Sequence, residues 1–449
     1  MTQITPLTTL SNTRPLALLV PGIAQALIAL DYAIVYVALP TLAQDLRLTL
    51  SAMQWVVSLY GLTFAGLLLL GGNLCDRFGA RRVFSGGMVL FLLASVAGGF
   101  AQSATLLFIA RGGQGVAAAL LQPAVLALIA QRFQGDAHRR ALAIWSAIGA
   151  LGLVAGVMLG GVLTALSWRA IFFINLPPGL LALWRVRHDF PCLGLSGERQ
   201  RTGFGALLGC AAAGALVWAL MRYAESGTPD FVANRLALGM LVLFILHERF
   251  APNPLLPRTL RTVPGLQSGW LSSACYMASV GSQFYVMTLL WQQSLHLDAV
   301  TTGLLFTPLA LLIVAGNALY TRLGVRFSAA GILATGFAAA ALGLWLLSAA
   351  LTTPLSLLFI SGIVLSGLGH GLIYPAMFAM GLTATPVALQ GRASAVIITS
   401  QYIAGAMMLA VISVLLGSDR VAENWVDVFQ WLTAAALAGM CVALCAKRD

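Results

Sequence analysis

The chain has 449 residues, 59% of them hydrophobic and 9% charged, and its mean hydropathy of +0.91 excludes a soluble globular domain. Its formal charge of +11 would suit a nucleic-acid partner, but the basic residues sit in short loops between apolar stretches, where they read as membrane topology. The six cysteines (Cys75, Cys192, Cys210, Cys275, Cys441 and Cys445) form no CxxC pair, so free thiols are expected and no metal site.

Residues 16–39, LALLVPGIAQALIALDYAIVYVAL, are long enough to cross a bilayer. They exceed a signal-peptide core and precede no small-residue cleavage site, so this stretch reads as a retained helix. It carries one carboxylate, Asp31, and an ionisable group at bilayer depth must be paired, protonated or turned to a water-filled path. Further spans are predicted over Met53–Gly71, Val83–Ala101, Leu106–Ala130 and Ala141–Leu163, with a shorter one over Ile171–Arg185. Two more, near Phe204–Met221 and Val232–Leu246, precede the Pro-rich connector PNPLLPRTLRTVPG. Six others start near Leu266, Thr302, Ala330, Leu355, Ala393 and Val428. The total of about fourteen spans implies an all-α polytopic membrane protein, because only closed backbone hydrogen bonding survives in lipid.

With a cytoplasmic amino terminus, the inner loops hold Arg14, Arg77, Arg81, Arg82, Arg132, Arg139, Arg140, Arg185, Arg187, Arg199, Arg201, Arg249, Arg258, Arg261, Arg322, Arg326, Arg392, Lys447 and Arg448. The outer side keeps only Arg47, Arg169, Arg222, Arg235 and Arg420. That imbalance sets the orientation and places both termini in the cytoplasm. An internal repeat pairs GGNLCDRFGARR with GNALYTRLGVRF at 316–327, and RRALAIW at 139–145 with GRASAVI at 391–397. The simplest organisation is a cytoplasmic segment 1–14, a six-helix bundle 15–190, a two-helix insertion 191–264 and a second bundle 265–449 with a short tail.

The stretch from Gly72 to Arg82 sets Asp76, Arg77, Arg81 and Arg82 at a tight turn, where Gly72 and Gly79 allow close approach and the charges can latch helix ends. Arg111 lies inside the fourth span on one stripe with Gln114, Gly115, Ala118 and Gln122, at a depth close to that of Asp31. The two can form a structural ion pair or a proton-coupling pair. Gly149, Gly152, Gly156, Gly160 and Gly161 give the fifth span a small-residue face for backbone contact with a neighbour.

Together these motifs resemble the fourteen-helix drug:proton antiporter branch of the major facilitator superfamily. LDYAIVYVALP resembles that branch's first-helix motif, Gly72–Arg82 its gating motif, and IARGGQGVAAALLQP its fourth-helix arginine motif. GLVAGVMLGG resembles the antiporter motif and WRAIFFINLPPG the junction into the sixth helix. The chain departs from the pattern at Val157, where proline is usual, and at Thr321, where the second-half loop can be acidic. The resemblance implies two bundles rocking about a central cavity, with Asp31 and Arg111 in proton coupling and the fifth-helix glycines in gating. It also implies export of amphipathic compounds, often cationic or aromatic.

From residue type, Gln54, Trp55, Tyr60, Trp145, Gln283, Phe284, Tyr285 and His370 are candidate lining for flat amphiphiles, with Gln114 and Gln122 from the arginine stripe. His370 suits a proton relay, a substrate contact or plain packing. Trp270, Trp291 and Trp425 are read as interfacial anchors. Lacking a second buried carboxylate, the chain is expected to handle dications poorly.

The functional expectation is proton-coupled efflux of drugs or toxic amphiphiles in the inner membrane, with the proton gradient as energy source and no cofactor. The alternative is a dedicated carrier for one metabolite, siderophore or self-made antibiotic. An enzyme is not expected, for no nucleophile–base pair or His–carboxylate cluster falls at membrane depth. Absence of GxxxxGK[ST] argues against direct use of ATP. A functional monomer is expected, with or without an adaptor protein.

Overall fold

The computed structural model describes residues 18–190, 203–252, 254, 258–263, 265–351, 356–386, 389–416 and 422–446. Segment 1–14 with Arg14, and Cys192, Arg199, Arg201, Arg420, Lys447 and Arg448, lie outside these residues, as does part of the Pro-rich connector. Everything long among the described residues is helical: α1 Leu19–Asp45, α2 Leu50–Phe78, α3 Ala80–Gly99, α4 Ala104–Arg132 and α5 Gly135–Leu166. A short turn, Ala170–Phe173, leads into α6 Leu176–Asp189, followed by α7 Gly203–Ser226 and α8 Phe231–Phe250. Then come α9 (266–294), α10 Ala299–Leu323, α11 Ala329–Ala349, α12 Leu357–Leu382, α13 Gln390–Leu416 and α14 Ala422–Ala446. Eleven of these helices have an uninterrupted window long and apolar enough to cross a membrane; the others are α6, α7 and the compound helix α9.

Local chemistry sets the ends. Thr49, Ser103, Asp230, Asp298, Ser328 and Ser356 each cap a helix, their side-chain oxygens accepting the free N–H groups of the first turn. Two of these caps expose a repeat hidden in sequence. Arg47 and His296 are the only non-glycine residues with positive φ (51° and 56°) among those described, and each stands three residues before a helix that Thr49 or Asp298 has capped. The same strained turn thus joins the first two helices of each half. Likewise RRALAIW and GRASAVI fall in the opening turns of α5 and α13, the fifth helix of each half.

Two expectations need correction, and one feature goes beyond them. The Gly72–Arg82 stretch is not a loop: α2 continues to Phe78, Gly79 alone is non-helical at φ 85°, and α3 begins at Ala80. Helix α2 outruns its apolar stretch because charged residues can extend a helix past the hydrocarbon, and it stops only where a left-handed residue turns the chain. Its repeat partner Gly324 has φ −61°, so the two turns are not alike in backbone. The single sixth span is broken at Ile174–Asn175, ahead of Pro177 and Pro178. Finally, α9 contains two π-helical turns, Met277–Gly281 and Leu290–Ser294, which no apolar periodicity signals.

Helices α1–α6 pack as one bundle and α9–α14 as another, with α7 and α8 paired and held against α2 and α13. The bundles meet along α1–α9, α2–α13 and α5–α10. At one end of that seam the contact is backbone-close: a Cβ on Gly161 would stand 2.7 Å from the Ala299 carbonyl, and one on Gly303 2.8 Å from that of Val157. Toward the other end both helices lose their cover. In α5 the residues from Ile144 to Leu151 are exposed or half-buried, and in α10 nothing after Gly316 is buried. The seam is closed at the Leu166 end and parted at the Ala141 end.

Candidate functional site

Asp31 in α1 and Arg111 in α4 meet in the core of the first bundle, each 1% exposed. Arg111 Nη1 donates to Asp31 Oδ2 at 2.6 Å, and its Nε donates to the Val56 carbonyl at 3.0 Å. The other carboxylate oxygen accepts from Gln114 Nε2 at 2.7 Å and Asn175 Nδ2 at 2.8 Å. Both amides also donate to Ser95 Oγ, at 3.1 and 3.2 Å. The guanidinium lies over the Tyr60 ring, 4.6 Å from its centroid, and donates as well to Gln114 Oε1 at 2.8 Å. Five helices (α1, α2, α3, α4 and the start of α6) therefore converge on one carboxylate. Buried charge persists in a low-dielectric interior only when paired and hydrogen-bonded in this way. Chemically, the cluster can hold an ionised Asp31 with no net charge, or release Arg111 and its amide donors when Asp31 takes a proton.

The glycine face of α5 presses α1 into this position. A Cβ on Gly152 would meet Ala29 Cβ at 3.0 Å, one on Gly156 would meet Ala33 Cβ at 2.7 Å, and one on Gly160 the Ile34 carbonyl at 3.0 Å. Gly161 faces the other way, toward α10 in the second bundle. With Val157 in place of the usual proline, α5 stays continuous through this region.

Of the residues expected to gate, Asp76, Arg77 and Arg82 are exposed, and Arg81 donates to the Phe190 carbonyl at 3.0 Å. Gly72 has open space around it, so close approach does not occur there; the adjacent Gly71 is the residue whose Cβ the Ala119 carbonyl would exclude.

The lining candidates divide. Gln114 and Tyr60 belong to the charge cluster. Gln54 ties the bundles together, donating to the Ala406 carbonyl at 3.2 Å and accepting from Ser413 Oγ at 2.8 Å. Trp55 packs on the inserted helix α7 beside Ala213 and Val217. Trp145 and Gln122 are half-buried, and among the described residues the Trp145 indole N–H has no hydrogen-bond partner. In the second bundle Phe284 stacks against Phe306 and Tyr36, Tyr285 is fully buried, and Gln283 donates to Ser366 Oγ at 3.1 Å. His370 bonds through Nε2 to the Tyr276 hydroxyl, while its buried Nδ1 has no partner among the described residues. Trp291 and Trp425 are not interfacial anchors: they are 0% and 2% exposed, with Trp291 packed on Phe306 and Phe359. The five described cysteines are free.

Asn175 and Ser95 were not singled out from the sequence. An Asn in an apolar run just before a Pro pair is a usable signal, for it marks a helix break that strands a polar side chain; Ser95 offers none.

Where the bundles face each other, the rings of Tyr32, Tyr36 and Tyr402 close around a residual cavity of only about 20 Å³, room for roughly one water.

Two helical bundles across a parted seam, with a neutralised charge pair in the core of the first, define a multi-pass membrane protein of the two-bundle carrier type. The chain belongs to the Major Facilitator Superfamily, whose family model matches residues 22–409. It is 34% identical to the cephamycin export protein CmcT of Amycolatopsis lactamdurans over 96% of this chain and 92% of that one. It is 37% identical to the puromycin resistance protein pur8 of Streptomyces alboniger, over 87% and 79%. A methylenomycin A resistance protein of Streptomyces coelicolor is 30% identical over 92% and 86%. Among solved structures, the POT family transporter PepTSo superposes with TM-score 0.70 at 14% identity over 97% and 98% of the two chains, which establishes the shared fold.

Proposed function

We propose that this protein is a proton-coupled exporter of drugs or other amphiphilic small molecules that works by alternating access between the bundles 15–190 and 265–449. The observation that carries the reading is Asp31, a carboxylate balanced by Arg111 and neutral donors in the core of the first bundle, on the helix whose Tyr32 and Tyr36 face the second bundle. Protonation of Asp31 would free Arg111, and re-pairing would expel the proton, so proton binding and helix position are linked. The export and resistance activities named for the similar proteins support the outward direction. Orientation with both termini in the cytoplasm puts the parted end of the α5–α10 seam on the cytoplasmic face of the inner membrane, ready to load substrate. Thr228 and Thr383 are both exposed, at opposite ends of the helices. A cysteine replacing Thr228 should then label from outside and one replacing Thr383 only from inside; the reverse pattern rejects this orientation. The proton gradient serves as energy source, no cofactor is involved, and the monomer is the working unit. Purified protein in liposomes should release protons on addition of substrate and accumulate substrate against its gradient when a pH gradient is imposed. Substrate movement indifferent to the pH gradient would refute proton coupling. The similar proteins named for single antibiotics favour a second reading, a carrier dedicated to one such compound; a response to a single member of a broad inhibitor panel in a pump-deficient host would select it.

A further inference from the structure

We infer that the site between the bundles is built for uncharged, hydrogen-bonding aromatic compounds and discriminates against permanent cations; this rests on the export reading above. Asp31 is the one buried carboxylate among the described residues, and both of its oxygens are already engaged by Arg111, Gln114 and Asn175. No negative charge is left over for a ligand. The cavity wall instead offers hydroxyls. Tyr36 donates to Tyr32 at 2.9 Å, and the Tyr32 hydroxyl reaches the Met277 sulfur at 3.9 Å. Ser58, 4% exposed, lines the same cavity, and its Oγ has no hydrogen-bond partner among the described residues. A buried hydroxyl without a partner favours a ligand that supplies a donor or acceptor.

Aromatic rings can hold cations through their faces, and here several of those faces are already engaged within the protein. Tyr60 carries Arg111 over its ring. Tyr32 meets both Tyr36 and Tyr402 at right angles, 82° and 88°, so in each pair one ring's edge occupies a face of the other. A quaternary ammonium entering this space would give up its hydration with no counter-charge to replace it. The cavity also has a means of growing. Gly61 lies under the Tyr402 ring and Gly405 beside the Met277 side chain, with Cβ positions 2.5 and 2.6 Å from those groups, so both large side chains rest on glycine and can swing to admit a flat ring.

The test uses an isosteric pair of probes, 4′-tert-butylbiphenyl-4-ol and its 4′-trimethylammonium analogue, and the purified full-length chain in detergent. Dissociation constants are corrected for partition into micelles. Wild-type protein should bind the uncharged probe at least tenfold more tightly, and Ser58→Asp, which supplies the missing charge, should reduce that ratio at least tenfold. Ser58→Ala should weaken the uncharged probe without improving the cation, a result that stands even where Ser58→Asp fails to fold. Equal or tighter binding of the ammonium probe to wild type overturns the inference while leaving proton-driven export intact. Failure of both probes to bind, with no pH-driven flux of any compound, removes the export reading and this inference with it.

Discussion

Replacing Asp31 with Asn removes one charge from the buried cluster and preserves its shape. The Asp31 carboxylate accepts three hydrogen bonds, from Arg111, Gln114 and Asn175, and in the Asn variant one acceptor oxygen becomes a donor facing donors. Arg111 keeps the Val56 carbonyl, Gln114 Oε1 and the Tyr60 face, none of which carries a negative charge. Leaving one partner of a buried pair uncompensated costs about 3–5 kcal/mol. Removing both charges in Asp31→Asn/Arg111→Gln should restore most of this, to within about 1–2 kcal/mol of wild type, since neutral replacement of a buried pair is close to neutral in stability. Unfolding titrations on the four proteins of this cycle read the energies, and substrate-evoked proton release in liposomes reads the function. Both variants should lose coupling, whereas only the single variant loses the full stability. An Asp31→Asn protein that unfolds within about 1 kcal/mol of wild type would show that Asp31 is already neutral in this conformation. One that still drives uphill transport from a pH gradient would take Asp31 out of the mechanism.

Asn175→Ala removes one donor from the buried carboxylate and should cost about 1.5–3 kcal/mol, the range for hydrogen bonds to charged groups, with substrate affinity unchanged within about twofold in equilibrium binding. Gly161→Val places a Cβ where the Ala299 carbonyl is 2.7 Å away, an overpacking cost of about 1–3 kcal/mol that parting α5 from α10 relieves. Labelling from outside of a cysteine at Val300 should therefore rise roughly 5- to 150-fold, and an unchanged rate would mean that the closed end of the seam does not open. Asp76→Asn, at an exposed helix end far from the cluster, should slow transport and leave binding intact; equal loss of both would refute a purely gating role.

Much of the fold was readable because membrane helices announce themselves by length, hydropathy and flanking arginines. Asp31 and Arg111 were readable for the same reason: charge stands out against hydrocarbon. What escaped was whatever depends on tertiary direction. Trp291 and Trp425 lie near span ends, where an amphipathic ring usually marks the interface, but position along a helix does not say which face is turned inward, and both are core residues. Gln114 reads as a pocket residue by type and proves to be a ligand of Asp31, because the stripe it shares with Arg111 faces the bundle core and not the seam. The first π-helical turn of α9 packs on α13 and α14 and the second on α10, surroundings that no local pattern records.

The two halves repeat in helix order and in their strained α1–α2 and α9–α10 turns, yet the chemistry is one-sided. Between residues 266 and 294, α9 contains no Asp, Glu, Lys, Arg or His, whereas α1 carries the carboxylate on which the first bundle converges. The buried polar contacts of the second bundle, His370 with Tyr276, Gln283 with Ser366 and Ser273 with Gln401, are between uncharged groups or an imidazole. In the proposed cycle the proton therefore acts on one bundle alone. A rocking motion needs only that, for the seam is shared: whatever turns α1 moves Tyr32 and Tyr36 against Met277 and Phe284 of α9, and the substrate cavity opens or closes between them. In that proposed cycle the division keeps the Asp31–Arg111 charge sealed from the ligand, so protons would be exchanged without offering the substrate a counter-ion.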